Sequence, residues 1–146
     1  MKHEINRRTI VLTVNVITAA PVLYLLIALL IPPRPGAEPE KFLTLHRAFL
    51  LTSFLFIALS RWVENLLLKP PPGGKFLPPG KVYRAVIVSA ALGESISVFG
   101  VILVLLGFSI ETFLHFFALS VLYFGDFRVL RFGNILEKLP PDTDRG

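Results

Sequence analysis

Few residues in this sequence could do chemistry, and the first is an acid inside an apolar run. Glu94 has mostly apolar or small neighbours on both sides through residues 82–107. At a rise of about 1.5 Å per residue a helix there would hold the carboxyl about 15 Å from either end, close to the middle of a bilayer. An ionised acid at that depth costs roughly 2.5–3.5 kcal/mol on insertion scales. It is therefore expected to be neutral, paired or turned toward a wet interior. Two roles fit: a hydrogen bond to a neighbouring helix that fixes packing, or a carboxyl that changes protonation state as a proton or cation passes.

A second constellation is His46 with Glu111 and His115, the last two four apart on one helical face. Two histidines on facing membrane helices could ligate a haem, and with the carboxylate they could hold a divalent metal. The competing reading is a set of interfacial histidines bonded to backbone or headgroups, and no cofactor is assigned. Arg61 and Glu64, three apart, share a face and are expected to pair. Asn15 is expected to make an interhelical hydrogen bond. Catalysis has little support: the chain lacks H-E-x-x-H, G-x-S-x-G and a phosphate-binding glycine loop, so it is not expected to be an enzyme. With no cysteine, it has neither disulfides nor thiolate metal sites.

Around Glu94 runs a line of small residues, Ser89, Gly93, Ser97 and Gly100. Small side chains three or four apart mark the stripe where a second helix backbone packs closely. The segment Ala91-Leu92-Gly93-Glu94-Ser95-Ile96-Ser97-Val98-Phe99-Gly100-Val101 resembles the carboxylate-bearing helix of the c subunit, the proteolipid of rotary ATP synthases. The resemblance implies that Glu94 is an ion-binding carboxylate. It covers this one helix; the helix before it, residues 42–68, has no glycine where that family has a glycine-rich partner.

The elements that must position these residues are long apolar runs. At 146 residues, 53% hydrophobic and a mean hydropathy of +0.67, the chain falls outside the usual soluble class. Four spans are expected, at about 9–31, 41–68, 82–107 and 110–131, with a disordered tail at about 139–146. Pro21 should kink the first span. Residues 32–40 and 69–80 are rich in proline and are expected to be loops. The short turn at Gly107-Phe108-Ser109 makes spans three and four an antiparallel hairpin.

Lysine and arginine are lopsided. Lys2, Arg7 and Arg8, then Lys69, Lys75, Lys81 and Arg84, then Arg128, Arg131, Lys138 and Arg145 lie on one side, against Arg34 and Lys41 on the other. The positive-inside rule puts both termini and the central loop in the cytoplasm. It also accounts for the net charge of +5 without nucleic acid. The expected molecule is an all-α integral membrane four-helix bundle, N-in and C-in, in a bacterial or archaeal cytoplasmic membrane. Its partners are the lipid bilayer and other membrane subunits or further copies of itself. An accessory or structural subunit of a larger complex is the leading reading, ion translocation through Glu94 the second, and a haem- or metal-binding anchor the third.

Overall fold

The computed structural model describes residues 7–32, 39–74 and 76–140, and every regular element among them is helical. Helices α1 (Arg7–Thr18) and α2 (Ala20–Leu30) form the first span, and α3 (Pro39–Leu67) and α4 (Pro79–Leu105) the next two. The fourth comprises α5 (Ile110–Asp126), a π-helical turn (Phe127–Arg131) and α6 (Phe132–Leu136). All four are long and apolar enough to cross a membrane, so this is a membrane protein built as a helical bundle. From residue 141 the expected tail lies outside the described residues, as do Lys2, Arg34, Lys75 and Arg145.

Pro21 breaks the first span as its chemistry requires. It has no N–H to give the Ile17 carbonyl, and the flanking amides tighten: Ala19 N–H donates to the Val16 oxygen at 3.2 Å and Val22 N–H to the Ala19 oxygen at 3.1 Å. Thr18 Oγ1 donates to the Val14 carbonyl at 2.8 Å within the same turn. Helix α4 begins at Pro79, earlier than expected, because a proline in the first turn loses no hydrogen bond.

The centre of the bundle is α4. It packs along α5 on one side and α3 on another, and α1–α2 lies across both α4 and α5. Half of the α4 span is buried, against 11% of the α3 span and 17% of the first. The α4–α5 turn is closed by Gly107, at φ 93°, a left-handed conformation that favours glycine. Gly107 N–H donates to the Val104 carbonyl and Phe108 N–H to that of Leu103, both at 3.0 Å, the reciprocal pattern of a Schellman cap. Phe108 then folds back into the cluster that holds Leu103, Phe116 and Tyr123.

At the opposite end the proline-rich loop is anchored. Leu77 is buried among Val82, Phe127 and Ile135, and its N–H donates to the Lys138 carbonyl at 2.8 Å. Lys138 Nζ donates in turn to the Leu68 carbonyl at 3.3 Å. The loop thus seals the base of the bundle.

Candidate functional site

Glu94 lies in α4, and Tyr24 of α2 reaches it. Tyr24 Oη donates to Glu94 Oε1 at 2.6 Å, joining residues 70 apart in sequence. The length is that of a strong O–H···O bond, and a carboxyl oxygen can accept it in either protonation state. Pro21 stands in the first turn of α2 and so helps to set the turn from which Tyr24 projects. Glu94 remains partly exposed.

The small-residue line packs on α5, as its composition requires. Ser89, Gly93, Ser97 and Gly100 are all buried. A methyl group at Gly93 would strike the Tyr123 ring, and one at Gly100 would stand 2.8 Å from Phe113 Cδ2. The Ser89 carbonyl accepts a hydrogen bond from Tyr123 Oη at 2.7 Å, and Ser60 Oγ of α3 lies 2.9 Å from the same hydroxyl. Tyr123 therefore ties three helices together. By contrast, Ser89 Oγ and Ser97 Oγ are buried without a hydrogen-bond partner among the described residues, so these serines serve the seam through their size.

The expected Arg61–Glu64 pair gives way to a longer network. Arg61 Nη2 bonds Asp126 Oδ2 at 2.6 Å, while Glu64 Oε1 accepts from Arg131 Nη1 at 3.0 Å. Burial explains the exchange. Glu64 turns inward with its side chain 8% exposed, whereas Arg61 lies 49% exposed at the surface of the same helix. Arg131, expected at the wet end of span four, is 7% exposed and its guanidinium sits 5.1 Å from the centre of the Tyr123 ring and 4.9 Å from that of Phe127. Its Nε is 3.1 Å from Asp126 Oδ2, near enough for ion pairing but out of line for a hydrogen bond, and its Nη2 has no partner. The network missed by sequence reasoning joins α3 to a π-helical turn, a device that recurs where a helix must place a special side chain. A basic residue four after Phe127 and eight after Tyr123 shares their face, and that spacing was the available signal.

The two histidines meet, and Glu111 lies one turn before His115 on α5. His46 and His115 have ring centres 5.9 Å apart, and His46 also lies 5.7 Å from the Phe116 ring. His46 Nε2 is buried without a partner. Glu111 and His115 border an apolar groove of about 600 Å³ beside Leu50, Phe54 and Leu122. Among the described residues no three His, Cys, Asp or Glu side chains gather as a metal ion would need. Asn15 lies on the exposed face of α1, and none of the hydrogen bonds between described residues uses its side chain, so within this chain the expected interhelical bond is not made there. No protein-family model, curated protein or solved structure matches this chain.

Proposed function

We propose that this chain is a non-catalytic structural subunit of a larger membrane assembly, oriented with both termini in the cytoplasm. Asn15 carries the reading. It stands six residues past Thr9, where the apolar run begins, about 9 Å along the axis, beyond the reach of a short amide to the headgroups. An amide exposed to hydrocarbon without a partner costs roughly 2–7 kcal/mol. A second membrane helix that hydrogen-bonds Asn15 removes that cost. Leu12 and Val16, 55% and 72% exposed, flank it with apolar surface for the same contact.

Glu94 in this reading is a packing group, held by Tyr24 and fixing α2 on α4. The chain has no native cysteine, so Val16→Cys gives a single thiol beside Asn15, and Leu122→Cys a control on another exposed face. A thiol-directed photocrosslinker in native membranes is expected to join Val16→Cys to a membrane protein or a second copy. Equal, low yields at the two positions would count against the assembly.

Proton or cation passage through Glu94 is the second reading, favoured by the partial exposure of that residue. It predicts that Glu94→Gln folds normally and abolishes flux in proteoliposomes. The packing role predicts that Glu94→Gln, which keeps an acceptor for Tyr24, leaves function intact while Glu94→Ala destabilises.

A further inference from the structure

A cleft of about 510 Å³ opens at the base of the bundle, between the end of α3 and α6. Arg61, Lys69, Arg131 and Lys138 contribute four cations to its wall, and Glu64 is the acid among its lining residues. Asp126 pairs with Arg61 and Arg131 beside it. Even with both acids ionised, the positive charge is in surplus. Arg131 is more than nine-tenths buried, so it contributes positive charge behind the inner wall rather than an open donor. Asn65 and Asn134 add neutral polar groups to the lining.

We infer that this cleft binds an anionic phosphate group. Guanidinium and ammonium groups around a pocket of this size match phosphate oxygens in charge and in hydrogen-bond geometry. Arg131 is held by Glu64 and by two aromatic faces, so its positive field is fixed before the anion arrives. Exposed Lys69, past the end of α3, supplies a charge at the rim, and Lys138, past the end of α6, a second one held against the Leu68 carbonyl. The cleft lies where the helices end, on the side with the excess of Lys and Arg. An anionic phospholipid headgroup would meet it from the inner leaflet. A free phosphate would meet it from solution.

The two sources separate in one set of measurements on the full chain in neutral detergent. Native mass spectrometry compares retention of dioleoylphosphatidylglycerol with that of dioleoylphosphatidylcholine, while inorganic phosphate is tested by its effect on the thermal midpoint against chloride at equal ionic strength. Lys69→Gln and Lys69→Gln/Lys138→Gln are the variants, both expected to retain helicity by circular dichroism: both residues lie outside the helices, Lys69 is exposed, and glutamine at 138 keeps an N–H donor for the Leu68 carbonyl. Preferential retention of the phosphatidylglycerol, weakened about fivefold by each lysine removed, identifies the headgroup as the source. Stabilisation by inorganic phosphate, lost in the double variant without any lipid preference, identifies the free anion. Neither effect, or either one unchanged in the folded double variant, overturns the assignment.

Discussion

At the scale of single residues, this protein uses the buried polar groups of Ser60, Glu64, Ser120 and Arg131 to join one helix to another. Arg131 shows how strongly. Removing one member of its buried ion pair leaves the other charge uncompensated, which costs about 3–5 kcal/mol. Glu64→Leu and Arg131→Leu are each expected to lower stability by that order, and Glu64→Leu/Arg131→Leu to lose less than their sum, when unfolding is followed by circular dichroism in detergent. The seam separates size from polarity. Ser97 Oγ is buried without a partner among the described residues, so Ser97→Ala should change stability by no more than about 0.5 kcal/mol or raise it slightly. Gly93→Ala, whose new methyl would meet the Tyr123 ring, should cost about 1–3 kcal/mol as overpacking. Equal effects of the two changes would show that the seam is not the tight contact described.

At the scale of elements, the order of the helices explains which features were legible in the sequence. The four spans, the Pro21 break and the α4–α5 hairpin follow from apolar length, a missing N–H and a short turn. All three are local properties. The side-chain partners are not: Tyr24 and Glu94 are 70 residues apart, Arg61 and Asp126 65, and Glu64 and Arg131 67. Local logic paired Arg61 with Glu64 because they are three apart, and counted Arg131 among the cations of the wet cytoplasmic side. Tertiary burial reversed both. His46 and His115 were legible as neighbours because the topology puts their ends of α3 and α5 together, but Glu111, one turn earlier in α5, stays exposed. The hairpin turn is itself open to test. Gly107→Ala forces a left-handed backbone on a residue with a Cβ and should destabilise by about 1–2 kcal/mol, read as a lower thermal midpoint.

At the scale of the whole molecule, α4 and α5 form a centre to which the first span and α3 attach separately. The Tyr24–Glu94 bond serves one attachment and the Glu64–Arg131 pair the other. Losses at separate contacts add to within about 0.5 kcal/mol, so Tyr24→Phe combined with Glu64→Gln should show the sum of the single effects in a double-mutant cycle. Coupling well above that would mean that the two sides move as one unit. The outer faces matter for assembly. An apolar face needs nothing but lipid, whereas the proposed assembly would give Asn15, exposed on α1, a hydrogen-bonding partner.

The most direct test of that claim is native mass spectrometry of the particle extracted gently from native membranes, for the wild type and for Asn15→Leu. The wild type should emerge in fixed stoichiometry with other membrane proteins or with further copies of itself, and Asn15→Leu should lose those partners while staying helical. A wild-type chain recovered as a monomer, or a complex indifferent to Asn15→Leu, would contradict the account.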